Sequence, residues 1–432
     1  MSEHRIDERS AAPEPSKSRL LEILGPGLIT GASDDDPSGI ATYSQGGAQF
    51  GYVTNWTLLL TYPLMVAVQM ISARIGRTTG RGLAGSIVRC YPPWVGIAIT
   101  GPLLVANIIN IGADLGAMGD AAHLLLGGYA LIYVAAFGTT CILLQVFVKY
   151  ERYVAFLKWL SLALLSYIAT LFVVHVDWAS FARGLFIPSF TSGPKYWSVI
   201  VAIFGTTISP YLFFWQASQE AEDLKEKPDA EPLIEHPREA KAANERITLD
   251  TLIGMAASNI VALAIMTTTA ATLNKAGVTN IENSVDAAKA IEPLAGKFAE
   301  VIFATGIIGT GLLAVPVLAG SAAYAVSEVA HWKVGLSREP REAKAFYTTV
   351  AVATIVGMVL NFTPVQPMTA LFWSAVINGV VAVPVMVVLM LIASDRTIMK
   401  QFVIGKILKI LGWATCLAMC GAVVGMAGTA FL

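Results

Sequence analysis

Residues 27–50 read GLITGASDDDPSGIATYSQGGAQF, an apolar segment that is interrupted at its centre by three aspartates and a proline. Proline removes a backbone donor and clashes with the preceding turn, so we expect the helix to open at Pro37. A second segment, residues 202–218, reads AIFGTTISPYLFFWQAS and contains a similar interruption at Ser209 and Pro210. The sequence therefore predicts two broken helices, whose unwound centres would expose carbonyl groups suited to binding an ion or a substrate.

The composition of the whole chain places these helices in a membrane. The 432 residues are 55% hydrophobic and only 14% charged, whereas soluble domains carry about 25% charged residues. The net charge of −1 gives no field that would attract nucleic acid, and four cysteines are too few for a disulfide scaffold. We predict an all-α integral membrane protein with the lipid bilayer as a partner and no nucleic-acid partner. The sequence contains no nucleophile–base arrangement or cofactor fingerprint, so we expect no cofactor and no enzymatic activity.

About eleven apolar stretches approach the length of roughly 20 residues that a helix needs to cross a bilayer. They are residues 20–50, 56–72, 94–118, 129–148, 154–176, 197–217, 251–273, 298–326, 346–360, 368–393 and 407–431. With the N-terminus inside, the cytoplasmic segments carry 23 Lys and Arg residues and the outer loops carry 5. This asymmetry predicts a cytoplasmic N-terminus and a C-terminus outside. The compact loops favour a prokaryotic inner membrane, and we expect a monomer.

The domain organisation follows from the positions of the two broken helices. We expect a cytoplasmic N-terminal tail, residues 1–19, and one membrane domain, residues 20–432. The broken helices begin corresponding halves of that domain, which predicts two repeats of five spans. The predicted parts are residues 20–178 for the first repeat, 196–393 for the second and 405–432 for an eleventh span. Residues 219–249 are highly charged and contain proline, so we predict a solvated cytoplasmic linker, with a tether favoured over a regulatory loop.

The aspartates of the first span need a physical explanation. Each costs roughly 3 kcal/mol at the centre of a membrane helix, so a bound cation, a proton or a basic partner must offset them. We expect Asp34 and Asp35 to lie in an aqueous vestibule and Asp36 to face the substrate.

Several segments resemble the Nramp family of divalent metal transporters, whose first-span signature usually contains Asp-Pro-Gly-Asn. The similar segments are residues 25–52, 73–84, 111–118, 158–174 and 306–325. The resemblance extends over nearly the whole chain after Arg19. It implies a LeuT-like fold of two inverted five-helix repeats plus an eleventh helix, with the substrate held between the broken helices 1 and 6.

The resemblance also shows departures at the positions where family members bind metal. The aspartate of the signature is retained as Asp36, but the asparagine position is Gly39, and the usual methionine of the sixth span is Ser209. The position of the family's backbone carbonyl ligand falls at Thr206, and Ser38 offers another oxygen. Loss of the thioether removes the one soft ligand, and a site of oxygen atoms suits a hard cation such as Mg²⁺ or Mn²⁺.

The groups that family members use for proton coupling are also changed. The usual glutamate three residues after the span-three aspartate is Ala117, which follows Asp114, and the second histidine of the sixth span is Gln216. The arginine expected in span nine is absent, and no histidine falls mid-membrane. A proton path needs titratable groups in series, so we expect passive or weakly coupled transport.

The resemblance and the residues together nominate a set of site residues. The substrate- or metal-binding candidates are Asp36, Thr206, Ser209, Gly39 and Ser38, with the metal held by Asp36 and Thr206. The accessory candidates are Asp35, Asp114, Tyr211, Gln216, Asn259 and Asn378. Asp114 could balance charge, relay a proton or act as a structural residue, and the two asparagines more often join membrane helices than bind substrate.

The leading hypothesis is a secondary transporter for a divalent metal ion that uses alternating access without tight proton coupling. The alternative keeps the scaffold but replaces the cargo with an organic cation or another small solute, because a carboxylate beside aromatic faces can bind an ammonium group. A sensor or receptor is a third class. It is less favoured because the largest predicted segment outside the membrane is only about thirty residues.

Overall fold

The computed structural model describes residues 30–31, 33–148, 162–191, 193–226, 231–281 and 283–430. Over these residues the chain is helical and contains no β-strand. The predicted N-terminal tail, residues 1–19, lies outside the described residues, as does the beginning of the predicted fifth span.

α-Helices account for most of the described chain. In its first half they are α1 (Pro37–Phe50), α2 (Trp56–Thr79), α3 (Leu83–Cys90), α4 (Pro93–Leu126), α5 (Ala130–Phe147), α6 (Leu165–Thr170) and α7 (Trp178–Phe186). In its second half they are α8 (Pro194–Thr207), α9 (Pro210–Glu226), α10 (Ala240–Thr269), α11 (Ser284–Ala288), α12 (Glu292–Ala295), α13 (Ala299–Val329), α14 (Lys344–Leu360), α15 (Pro367–Ser394), α16 (Arg396–Met399) and α17 (Lys406–Ala430).

Eight helical stretches among the described residues are long and apolar enough to cross a membrane. The apolar helix α14 is shorter, with 17 residues. The two remaining predicted spans, residues 20–50 and 154–176, each include residues outside the described part of the chain. Multiple membrane spans are therefore confirmed.

Helix α1 lies near the centre of the bundle, where it packs against α8, α10 and α15. Helix α4 packs against α13, α14 and α15. We refer to the buried region around Asp34, Asp35, Asp36 and Asp114 as the chamber. Close approach of α8 to α15 depends on Gly205, because a Cβ atom there would lie 2.0 Å from the carbonyl oxygen of Ala375. Such small-residue contacts let membrane helices approach to backbone distance, and here they fix the segment that precedes the break in the sixth span.

The segment predicted as a solvated linker is largely helical. Residues 219–226 complete α9 and residues 240–249 begin α10, so the helices are longer than their apolar parts. This segment is rich in Glu, Lys and Ala, which favour helices. Some of its charged side chains are buried and form ion pairs or hydrogen bonds. Glu220 of α9 is buried and forms an ion pair with Arg246 of α10.

Two further buried glutamates lie at the same end of the bundle. Glu222 accepts hydrogen bonds from the Tyr324 hydroxyl and from the backbone N–H of Ser337. Glu328, near the end of α13, accepts from the backbone N–H groups of Gly82 and Gly85, at 2.9 and 2.8 Å. We refer to Glu220, Glu222 and Glu328 with these partners as the linker-side layer. The layer joins α3, α9, α10 and α13.

Candidate functional site

The first broken helix opens at the aspartates, as its proline predicts. Residues 30–31 and 33–34 are helical, Asp35 lies in a bend, and Asp36 is extended at φ −69° and ψ 169° before α1 begins at Pro37. The Oδ1 atom of Asp36 accepts hydrogen bonds from the Ser38 hydroxyl at 2.6 Å and from the Gly39 N–H at 2.7 Å. Asp36 is thus the N-cap of α1, where a carboxylate satisfies an N–H group that the helix leaves unpaired.

The second broken helix opens between α8 and α9. Helix α8 ends at Thr207, Ile208 leaves the helix at φ −120° and ψ 54°, and α9 begins at Pro210. The Ser209 hydroxyl lies 2.8 Å from the carbonyl oxygens of both Gly205 and Thr206. A hydroxyl has one hydrogen to donate, so at least one lone pair of the Thr206 carbonyl stays available to a ligand.

The two breaks face each other. A Cβ atom on Gly39 would lie 3.1 Å from the Thr206 Oγ1 atom, so α1 and α8 are in contact next to their breaks. The Tyr211 hydroxyl, at the start of α9, donates to the Ser33 carbonyl at 3.1 Å and lies 3.5 Å from Asp36 Oδ2. Gly39 leaves no space for a larger side chain unless Thr206 moves.

The structure adds two polar residues that the sequence interpretation missed. Asn110 of α4 donates from Nδ2 to Asp36 Oδ2 at 3.1 Å, and Ser374 of α15 donates to Asn110 Oδ1 at 2.6 Å. Both residues are buried. A signal existed in the sequence, since Asn107, Asn110 and Asp114 are spaced three and four residues apart and so lie on one face of a helix.

Asp34 and Asp35 do not lie in an aqueous vestibule, so that expectation was wrong. They are only 1% and 6% exposed, because both pack against α10. The Ser258 hydroxyl lies 2.7 Å from Asp34 Oδ2 and 3.1 Å from Asp35 Oδ1. It can donate to only one of them at a time, and Asp34 Oδ1 has no hydrogen-bond partner.

Asp114 is the fourth aspartate of the chamber. It is fully buried on α4, and neither carboxylate oxygen has a hydrogen bond of normal geometry. The charge of Asp36 and the backbone of Ser38 are close enough to act on it. Among the described residues, no ion pair involves any of the four aspartates. The chamber therefore holds acidic groups that no basic side chain of the described part of the chain neutralises.

The remaining accessory candidates are Gln216, Asn259 and Asn378, which differ in whether they bond to the broken helices. Gln216 of α9 accepts a hydrogen bond from Thr30 in the first broken helix. Asn259 is half-buried beside Ser258 and its Oδ1 atom has no partner. Asn378 of α15 is buried, one turn after Ser374, and neither polar atom of its side chain forms a hydrogen bond. No hydrogen bond joins Asn259 or Asn378 to Asp36 among the described residues.

A cavity of about 520 Å³ lies between α1, α8 and α15. Its lining includes Ala41 and Gln45 of α1, Ser198 of α8 and Phe372 of α15. Ala41 is little more than one turn beyond Asp36 along α1, so the cavity approaches the chamber from the side opposite the linker-side layer. Within the described residues no cluster of three or more His, Cys, Asp or Glu could hold a metal ion. A cation at Asp36 would have to complete its coordination with hydroxyl, carbonyl or amide oxygens.

Comparison with known protein families matches residues 27–428 to the family described as natural resistance-associated macrophage protein-like, or Nramp. The chain belongs to the Nramp family. It is 26% identical over 412 residues to the divalent metal cation transporter MntH of Caldanaerobacter subterraneus, with 91% of this chain and 90% of that protein covered. It is 28% identical over 305 residues to MntH of Yersinia pestis, with 69% and 70% covered.

Solved structures share the fold of this Nramp-family protein. The manganese transporter of Eremococcus coleocola superposes with a TM-score of 0.77 at 18% identity, covering 97% of this chain and 89% of that one. A sodium-coupled sialic acid symporter superposes with a TM-score of 0.58 at 10% identity, covering 95% and 90%. The LeuT-like fold of an all-helical membrane protein is thereby confirmed, and family membership confirms that the protein is not an enzyme.

Proposed function

We propose that this Nramp-family protein is a secondary transporter that carries a divalent metal ion between the two broken helices by alternating access. The main support is the state of Asp36. Its carboxylate is 2% exposed, and the described residues that contact it are neutral: the Gly39 N–H and the Ser38 hydroxyl donate to Oδ1, and the Asn110 amide donates to Oδ2 beside the Tyr211 hydroxyl. A buried charge without a counter-charge is costly and marks a substrate or ion pathway in a membrane protein.

The names of the relatives support a divalent metal as the cargo. The curated relatives are named divalent metal cation transporters, and the superposed structure is named a manganese transporter. Those names belong to distant relatives, so the identity of the ion rests on the donor atoms of this chain.

The donor atoms favour a hard cation such as Mg²⁺ or Mn²⁺. The groups around the two breaks are the Asp36 carboxylate, the Ser38 and Ser209 hydroxyls and the Thr206 carbonyl. These are oxygen atoms, which hard cations prefer, while soft thioether and thiolate ligands favour other metals. Ser209 occupies the position where the family resemblance places a methionine, so the sixth span offers a hydroxyl in its place.

We further propose transport without tight proton coupling. Ala117 lies one turn after Asp114 on α4, and α14 contains no arginine. Of the described histidines, His123 is near the end of α4, His175 lies outside the helices, and His236 and His331 lie near helix ends. A relay from the chamber would therefore depend on the aspartates alone.

The packing at the two ends of the helix bundle bears on the route of the ion. The linker-side layer closes one end with a buried ion pair and hydrogen bonds, and a cavity of about 460 Å³ lined by Gly85 and Glu328 lies beside it. The 520 Å³ cavity lies at the other end of the bundle. Alternating access would require the linker-side layer to open when the ion passes that end.

The alternative cargo, an organic cation, has less support. The hydroxyl of Tyr211, and not its ring face, lies next to the Asp36 carboxylate. The side chains of Phe213, Phe214 and Trp215 are buried in the core. An ammonium group would gain most from an aromatic face beside the carboxylate.

Isothermal titration of the purified protein with MgCl₂, MnCl₂ and CaCl₂ tests the proposal. We expect binding heats for wild type that disappear in Asp36→Asn and persist in Asp395→Asn, a control at an exposed helix cap. If no divalent ion gives heat with wild type, the metal hypothesis is wrong and organic cations should be titrated next. Tight, selective binding of Cd²⁺ would instead reveal a soft ligand.

A further inference from the structure

We propose that Asn110 is a direct ligand of the transported cation, through its side-chain oxygen, and that Ser374 permits the change of orientation this requires. The inference rests on the proposed function. It assigns a role to two residues on α4 and α15, outside both broken helices.

The starting arrangement is a chain of three side chains. Asn110 is fully buried, its Nδ2 atom lies 3.1 Å from Asp36 Oδ2, and its Oδ1 atom accepts from Ser374 Oγ at 2.6 Å. In this orientation the amide N–H points at the carboxylate. A cation bound by Asp36 Oδ2 would be repelled by that N–H group, which presents a positive edge.

Rotation of the amide by half a turn resolves the conflict without leaving a polar group unpaired. The Asn110 oxygen then faces the cation, and its NH₂ group donates to Ser374 Oγ. Ser374 can release its own hydrogen because its hydroxyl also lies 2.8 Å from the Leu371 carbonyl oxygen. The polar atoms of Asn110 and Ser374 therefore have partners in both orientations of the amide. A bound cation favours the orientation in which the Asn110 oxygen faces it.

The spacing suits two ligands of one ion. After the rotation, an amide oxygen occupies the present position of Nδ2, 3.1 Å from Asp36 Oδ2. Adjacent oxygens of an octahedral Mg²⁺ shell, with bonds of about 2.1 Å, lie about 3 Å apart. An asparagine oxygen is also a hard donor of the kind that Mg²⁺ and Ca²⁺ accept.

The competing explanation is that Asn110 only orients Asp36 by donating to it. Two substitutions separate the explanations. Asn110→Leu keeps a side chain of similar size, but it removes both the N–H group that donates to Asp36 and the oxygen that would bind the cation. Asn110→Asp cannot donate to Asp36 when ionised, but it keeps an oxygen ligand and adds charge.

The experiment is isothermal titration with MgCl₂ and MnCl₂ at pH 8, where an added carboxylate has the greatest chance of being ionised beside Asp36. For a ligand, Asn110→Leu should weaken binding at least tenfold, while Asn110→Asp should bind as tightly as wild type or more tightly. Ser374→Ala should weaken binding by a few fold. Asn107→Leu, one turn away on the same face and bonded to the Leu318 carbonyl, is the control and should bind like wild type.

Two results would overturn the inference. If Asn110→Leu binds within threefold of wild type, Asn110 is not a ligand. If Asn110→Asp is as weak as Asn110→Leu while both unfold cooperatively at the wild-type temperature, Asn110 is only a positioning residue for Asp36. Failure of the proposed function is distinguishable, because then wild type itself would bind no divalent ion or Asp36→Asn would bind as well as wild type.

Discussion

The buried acids of the central chamber and those of the linker-side layer differ in how their charge is balanced. Glu220 pairs with Arg246, and Glu328 accepts two backbone N–H groups. In the chamber, by contrast, Asp34 and Asp35 share one hydroxyl and Asp114 has no hydrogen bond of normal geometry. An acid that is paired with a basic side chain, as Glu220 is, serves the fold, whereas an acid contacted only by neutral groups of the described residues, as Asp36 is, keeps a charge that a cation can balance. We therefore expect substitutions in the two regions to separate stability from cation binding.

The largest effect should follow Asp36→Asn. Loss of the charged ligand should weaken Mg²⁺ binding at least 100-fold, or about 3 kcal/mol at 1.4 kcal/mol per factor of ten. A ligand at 100 times its Kd stabilises the folded state by about 2.7 kcal/mol. Saturating Mg²⁺ should thus raise the unfolding temperature of wild type but not of the variant, as differential scanning fluorimetry would measure. An equal rise in both would show that the ion binds elsewhere.

Arg246→Met should give the largest effect on stability. It leaves the Glu220 carboxylate buried without its partner, which typically costs 3–5 kcal/mol, and we expect about 3 because Arg246 is partly exposed. Chemical unfolding should show the loss, while Mg²⁺ affinity stays unchanged. The double variant Glu220→Met/Arg246→Met is the control and should recover most of the stability, since apolar pairs often replace buried ion pairs at little cost. No recovery would mean that the pair matters for more than its charge.

Asp114→Asn should have an intermediate effect on binding. Removal of a nearby negative charge takes away a Coulomb attraction of roughly 1 kcal/mol, or about fivefold in Mg²⁺ affinity. Asp120→Asn, farther along the same helix and bonded to Ser284, should change affinity less than twofold. Isothermal titration of both variants measures the difference, and equal effects would argue against a specific role for Asp114.

Glu328→Gln should have the smallest effect. The side-chain amide can still accept from one of the two backbone N–H groups of Gly82 and Gly85, so we expect a loss of about 1 kcal/mol in the free energy of unfolding. Mg²⁺ affinity should not change. A change in affinity of more than threefold would show that the linker-side layer is coupled to the ion site in the conformation that binds the ion.

The sequence predicts those parts of the fold that depend on local chemistry. Pro37 and Pro210 begin the helices that follow the two breaks, and hydropathy marks most of the spans. Proline alone does not locate a break, because Pro63, Pro102, Pro316 and Pro384 lie inside continuous helices. Partners from distant helices are harder to predict. The Asn110–Ser374 pair depends on how α4 and α15 are rotated about their axes, which hydropathy alone does not fix.

A charged residue in the sequence does not show by itself which side chains face solvent. Charge predicts solvent exposure for Asp34 and Asp35 and for residues 219–249. In the structure, Asp34 and Asp35 are buried against Ser258, and Glu220 is buried by Arg246. Burial of a charge depends on long-range partners, which sequence spacing does not reveal.

The most direct test of the central claim is Mg²⁺ flux into proteoliposomes that contain both an internal Mg²⁺-sensitive dye and an internal pH dye. We expect wild type to carry Mg²⁺ down its gradient without acidifying the lumen, and Asp36→Asn to carry none. Mg²⁺ flux that persists in Asp36→Asn would contradict the assignment of Asp36 as a ligand of the transported ion. Acidification of the lumen that follows the Mg²⁺ gradient would contradict transport without tight proton coupling.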